Sequence, residues 1–443
     1  MSVRAEATPA HTHHTDPTGS ETATDPRAVL SAGVTVPLAD GRVVGYAALD
    51  YAASAPVLSR VWDEVARYAP SYGSVHRGAG QLSRLSTELF ERSRATVAGF
   101  LGLRPTDRLL FTRSTTDSLN LLAAALPAGT RVLVFETEHH AALLPWAHHG
   151  HRVDYLATPD DPAAAVRAVE EALADGPVGP TLLCVTGASN VTGELWPVRE
   201  LAAAAHRHGA RIVLDAAQLV PHRPVDVRAW DVDWVAFSGH KLYAPFGAGV
   251  LAGRADWLDA APPYLAGGGA TRVVSREAGA AVRVVWADGE TRHEAGSPNV
   301  IGALAVAAAC RALTEGEGYR ALVAHERALL GRLRAGLAEL PRVRELSLFG
   351  PAAERVAVVS FTVAGWDSAE FARALADRYG IGVRSGMFCA QPLVRRLLGA
   401  DGPADDCGGP LQAVRVSFGA GTPAEHVERL LAAVAELTGG RAG

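Results

Sequence analysis

Between Val43 and Gly253, short apolar runs closed by polar or glycine-containing turns alternate with longer Ala- and Leu-rich stretches whose apolar positions recur at helical spacing. The runs at 109–112, 131–136, 181–186 and 211–215 are too short for helices and nearly continuous in apolar character. They read as strands covered on both faces, the pattern of a mostly parallel sheet flanked by helices. After about Gly316 the pattern changes to one long helix at 319–340, strands near 356–363 and 413–418, and a closing helix from Pro423. The expected organisation is a disordered tail over 1–28, a large α/β domain over 29–315 and a smaller α+β domain over 316–443. The N-terminal part of the large domain is free to pack on the small one. No internal repeat is visible.

The tail is rich in Thr, Ala, Pro and His and nearly devoid of large apolar side chains, so burial cannot offset the entropy of ordering it. Its His11, His13 and His14 have no cysteine or carboxylate at ligand spacing and read as solvated, so no metal is assigned.

Composition narrows the function classes. With 48% hydrophobic residues the 443-residue chain can build a large core. The balance of 42 basic against 47 acidic side chains contains no basic stripe, which argues against nucleic acid as a partner. Its longest apolar stretches fall short of the roughly 20 residues that span a bilayer, and no secretory signal is visible. Four scattered cysteines make no disulfide framework, and the expected compartment is a reducing cytoplasm.

In a doubly wound sheet ligands collect beyond the carboxyl ends of the strands, so the residues that follow each run carry the chemistry. One run ends in Asp215, with Gln218 just after it, and the next leads through Ser238 and His240 to Lys241. A lysine that can form a Schiff base and a carboxylate that can face a pyridine nitrogen are the requirements of pyridoxal phosphate. Taken singly, a post-strand Asp is usually a cap and a Lys a solvated charge; the pair in this order points to the cofactor. Thr115 and Thr116 follow the strand at 109–112 and open a helix bearing Leu119, Leu122 and Leu126 on one face, a place where unpaired amides and the helix dipole favour a phosphate. His139, just past the strand at 131–136, is a planar group suited to stacking on the ring and to moving protons. Asn190, after the strand at 181–186, is a candidate donor to the cofactor, although Asn-x-x-Gly is also a common turn.

Read in order, TEHH at 137–140, SNVTGE at 189–194, DAAQ at 215–218, FSGHKLYAPFGAG at 237–249 and EAGSPN at 294–299 resemble the class V aminotransferase superfamily. Within it they resemble the cysteine desulfurases and selenocysteine lyases that carry SGHK and a downstream R-x-G-x-x-C-A. The likeness extends from LDYAASAP at 49–56 through YGSVHRG at 72–78 to the final helix. It implies the pyridoxal phosphate-dependent transferase fold, type I, with Lys241 as the Schiff-base lysine, Asp215 at the pyridine nitrogen, His139 stacked on the ring and Gln218 at the ring hydroxyl. It places Asn190 near substrate and cofactor. Phosphate contacts would come from Thr115, Thr116, Ser238 and His240, and from Ser297 of the neighbouring subunit, which implies a homodimer with shared sites. Arg384 and Arg415 match the arginines that grip the substrate carboxylate, a task suited to a planar guanidinium.

Cys389 decides the reaction type. Within the matching loop it corresponds to the thiol that takes sulfur from L-cysteine, leaving alanine and a persulfide, with selenocysteine as an alternative substrate and a carrier protein as a candidate acceptor. Cys184 in a predicted buried strand and Cys310 in an Ala-rich helix read as structural, and Cys407 is left open. Desulfurases of this group usually carry two histidines before the cysteine, whereas this chain has Met387 and Phe388. That departure keeps other readings open: a transaminase, epimerase or carbon–sulfur lyase of a specialised biosynthetic pathway, or a fold retained without catalysis.

Overall fold

The computed structural model describes residues 27–176, 179–279, 281–399 and 412–439. The expected tail with its three histidines and Cys407 lie outside the described residues. Seven strands form the central sheet in the order Asp107–Thr112, Gly249–Arg254, Trp234–Ser238, Arg211–Asp215, Thr181–Thr186, Arg131–Phe135 and Arg152–Leu156. Gly249–Arg254 alone runs opposite to the other six. The other six point their carboxyl ends to one edge, so the loops that follow them meet there.

Alternate residues of these strands enter two cores, as the period of two requires. Leu133, Leu183, Ile212 and Leu214 belong to the core on one face, and Val132, Val134, Cys184 and Val213 to the core on the other. This double burial is why the runs read as continuously apolar. The second core is closed by the helix Thr115–Ala125, which buries Leu119 and Leu122. Leu126 has left the helix (φ −64°, ψ 144°), because Pro127 disfavours the helical conformation in the residue before it.

A four-stranded antiparallel sheet forms the smaller lobe, ordered Val343–Glu345, Val358–Val363, Ala413–Ser417 and Arg384–Gly386, and covered by the helices Gly318–Ala338, Ser368–Tyr379 and Ala424–Leu437. Two strands, Val358–Val363 and Ala413–Ser417, and the helices Gly318–Ala338 and Ala424–Leu437 agree with the sequence pattern to within a few residues, whereas the helix Ser368–Tyr379 was not anticipated and Val343–Glu345 and Arg384–Gly386 are too short to have given a strand signal. The early segment Ala47–Ala48 pairs in parallel with Ile381–Gly382, which carries Asp50 towards the small-lobe sheet. Between the lobes, the buried Arg355–Glu194 pair (3.1 Å) fixes the segment holding Asn190, since Glu194 also accepts from the amides of Leu348 and Phe349.

Among the described residues no helix is long and apolar enough to cross a membrane. None of them form a group of three or more His, Cys, Asp or Glu that could hold a metal ion.

Candidate active site

A cavity of about 250 Å³ opens at the carboxyl edge of the large sheet and is closed on its other side by the small lobe. At one end lies the start of the helix Thr115–Ala125. Ser114 caps it by accepting from the Asp117 amide at 3.4 Å, and the Ser238 hydroxyl accepts from the Thr115 amide at 2.7 Å and shares a second contact of 2.7 Å with the Thr115 hydroxyl. Hydroxyls and the positive end of a helix thus converge, a ready cradle for an anion. Gly249 lies against this cradle so closely that a Cβ there would meet the Ser114 backbone at 2.6 to 2.7 Å. Thr116 and His240 also line the cavity.

On the cavity floor, Asp215 ends its strand and accepts from the Ala217 amide at 2.9 Å. Burial raises its carboxyl above the ordinary aspartate range, while the Ala217 amide and the Lys241 charge oppose the rise. Lys241 faces the same space, and desolvation, against the pull of Asp215, lowers its ammonium to about 8. Gln218 donates to the Ala52 carbonyl at 2.7 Å and leaves its Oε1 buried without a partner. The His139 Nδ1 accepts from the Ala141 amide at 3.0 Å, which assigns the proton of the neutral ring to Nε2. Burial, then Lys241, brings this imidazole down to about 3, so it is uncharged.

The opposite wall comes from the small lobe. Buried Arg415 reaches the Asn190 carbonyl with Nη1 and Asp50 with Nη2, each at 3.1 Å, while its Nε is without a partner. Burial weakens the hold of Arg415 on its proton and Asp50 restores part of it. Arg384, paired with Arg415 across adjacent strands, also lines the cavity. Cys389 stands at the rim with an exposed side chain, at the start of the turn into the helix Gln391–Leu398. Asn190 directs its Nδ2 to the Phe388 carbonyl at 2.8 Å, so one of its donors is committed to the cysteine loop.

A family model described as aminotransferase class-V matches residues 47–430. The chain belongs to the class-V aminotransferase family. Among curated class-V relatives, a cysteine desulfurase of Pectobacterium atrosepticum is 36% identical over 408 residues, covering 90% of this chain and 94% of the relative. One of Dickeya dadantii is 38% identical over 367 residues, covering 81% and 85%. The solved apo structure of a cysteine desulfurase from Thermococcus onnurineus superposes with a TM-score of 0.78 at 31% identity, covering 89% of this chain and 95% of that one. An Escherichia coli cysteine desulfurase gives 0.75 at 30%, covering 88% and 94%. The type I fold expected of a class-V enzyme is therefore the fold of this chain.

The residues of this class-V chain fit pyridoxal phosphate. The cradle suits its phosphate, the buried carboxyl of Asp215 suits a protonated pyridine nitrogen, and the orphaned Gln218 Oε1 suits the ring hydroxyl. Every site residue singled out from the sequence lines the cavity except Ser297, which is exposed and outside the cavity of its own chain. Sequence reasoning missed Asp50 and Glu138. Glu138 is fully buried, accepts from the Thr186 amide at 2.9 Å, and is pushed well above the ordinary glutamate range by burial and by nearby Asp215. Both sit in motifs already quoted, LDYAASAP and TEHH, but nothing in their spacing marks them as site residues.

Proposed function

We propose that this chain is a pyridoxal phosphate-dependent cysteine desulfurase acting on L-cysteine, with Cys389 as the sulfur-accepting thiol. The observation that carries the reading is an exposed cysteine at the rim of a cavity that holds both the Lys241–Asp215 pair and the Arg415–Arg384 pair.

Lys241 and Asp215 would hold the cofactor from below, Ser114, Thr115, Thr116, Ser238 and His240 its phosphate, and Gln218 its ring hydroxyl. When bound, pyridoxal phosphate supplies an electron sink for the substrate α-carbon. Arg415 and Arg384 orient the substrate carboxylate, and His139 covers the ring face as a neutral imidazole. The Lys241 amine, neutral in part near pH 8, takes the α-proton at Nζ. Cys389 Sγ, as thiolate, then bonds to the substrate sulfur as the carbon–sulfur bond breaks, and the carbon keeps the electron pair and gains protons to become alanine. The net change is L-cysteine plus the Cys389 thiol giving L-alanine plus a Cys389 persulfide, which turnover must pass to an acceptor protein or a thiol reductant.

A homodimer is part of the same reading. Ser297 is exposed in the single chain, and the hairpin Thr271–Ser275 with Arg283–Trp286 presents Val273 and Val274 to solvent, as an interface between copies would.

The deciding experiment incubates cofactor-loaded protein with L-cysteine and follows alanine and the mass of the Cys389 peptide. Alanine together with a persulfide on that peptide is expected, and Cys389→Ala should lose alanine formation while retaining cofactor absorbance. Undiminished alanine release by Cys389→Ala overturns the assignment, and α-keto acid or racemised substrate formed independently of Cys389 favours a transaminase, epimerase or lyase.

A further inference from the structure

The loop that carries Cys389 is bound to Arg415 through a closed ring of contacts. Arg415 Nη1 donates to the Asn190 carbonyl at 3.1 Å, Asn190 Nδ2 donates to the Phe388 carbonyl at 2.8 Å, and the Phe388 ring lies 4.9 Å from the central carbon of the same guanidinium. Phe388 is buried, and the side chain that follows it, Cys389, is exposed. Both residues have φ of 54°. Two successive side-chain-bearing residues in the left-handed region persist only where the surroundings hold them. The holds are visible: the Asn190 amide on the Phe388 carbonyl, the His140 amide on the Cys389 carbonyl at 2.8 Å, and the Ala390 amide on the Met387 carbonyl at 2.9 Å.

Arg415 is similarly constrained. Two of its nitrogens are taken by Asn190 and Asp50, its π-face rests on Phe388, and the buried Nε is left for a further acceptor. A carboxylate that draws the guanidinium towards itself must change how it sits on the ring. The guanidinium and the strained bend are joined through the same Asn190, and the thiol lies one residue further on.

We propose that Phe388 is a positioning residue that couples occupancy of Arg415 by a substrate carboxylate to the aim of the Cys389 thiol. The proposal rests on the reading of Arg415 as the carboxylate anchor and Cys389 as the sulfur-accepting thiol. Leucine at 388 keeps apolar volume but removes the π-face that holds the cation, and tyrosine keeps it.

The test uses cofactor-loaded wild type, Phe388→Leu and Phe388→Tyr. L-alanine, a carboxylate-bearing ligand without sulfur, is titrated by cofactor absorbance. Alkylation of Cys389 by iodoacetamide is then timed by peptide mass spectrometry with saturating L-alanine, and with ethylamine as the control that lacks a carboxylate. For wild type, L-alanine should change the alkylation rate at least about 3-fold more than ethylamine does. In Phe388→Leu, L-alanine affinity should fall about 3- to 10-fold, the scale of one cation–π contact, and the two ligands should act alike on the thiol. Phe388→Tyr should restore both properties. Wild-type affinity and response in Phe388→Leu overturn the proposal, as does a wild type that responds equally to both ligands. Should Phe388→Leu fail to fold, the tyrosine variant decides, because loss of either property there is equally fatal. Failure of the desulfurase reading looks different: wild type would make no alanine from L-cysteine yet keep its L-alanine response.

Discussion

Asp50 Oδ1 lies 3.1 Å from Nη2 of Arg415, so a carboxylate of the chain itself already occupies one side of the guanidinium that faces the cavity. The Arg415 side chain is 5% exposed and that of Asp50 28%, which makes Asp50 the wetter half of a largely buried pair.

Removing the charge of Asp50 should therefore leave Arg415 under-compensated. Asp50→Asn is expected to lower stability by about 1–3 kcal/mol. L-alanine should raise the melting temperature of the cofactor-loaded variant more than that of wild type, because its carboxylate supplies the missing charge. Equal thermal shifts in the two proteins would count against this role.

Gly249 tests the phosphate cradle. A Cβ would press on the backbone of Ser114 at 2.6 to 2.7 Å, which is main chain and cannot rotate aside. Gly249→Ala should weaken pyridoxal phosphate binding by about tenfold or more and cost about 1–3 kcal/mol of stability. Fluorescence titration of the cofactor-free variant measures the first, and chemical denaturation the second.

The cofactor-free protein should capture pyridoxal phosphate in a pH-dependent way. Burial lowers Lys241 to about 8, and only its neutral amine reacts with the cofactor aldehyde. Below pH 8 the capture rate should rise about tenfold per unit, and above 8 it should level off. A rate that keeps rising well above pH 8, towards the ordinary lysine value of about 10.4, would mean that Lys241 is not desolvated as found. His139 is held neutral, down to about 3, so its ring should show no titration between pH 5 and 9 by NMR.

Thiol reactivity should separate the cysteines. Cys389 is exposed, whereas Cys184 and Cys310 are buried and pushed upward by desolvation. Iodoacetamide on the native protein should label Cys389 and leave Cys184 and Cys310 untouched until denaturant is added, as peptide mass spectrometry will show. Labelling of Cys184 at a comparable rate would mean that the core is open where it is found closed.

The large-domain strands were legible in the chain because burial on both faces writes itself as continuous apolar runs, and the residues just beyond those runs proved to be the cavity floor. Asp215, Ser238, Lys241 and Thr115 could be read in this way, since Asp215 and Ser238 end their strands and Lys241 and Thr115 come three residues after a strand ends. The short strand Arg384–Gly386 and the Ala47–Ala48 pairing with Ile381–Gly382 could not, because two or three residues carry no period. Nor could the partner of Arg415: Asp50 is 365 positions away and meets it only because that early pairing brings it across.

By itself, then, the sequence determined the sheet and the candidacies of Lys241, Asp215 and Cys389, all of which depend on local pattern and residue type. Tertiary structure alone decided how these act together. It seated Phe388 against Arg415, bent the Cys389 loop into the left-handed region, and left one oxygen of Gln218 without a partner. Such relations depend on distances between segments far apart in the chain, and those distances exist only once the two lobes have packed.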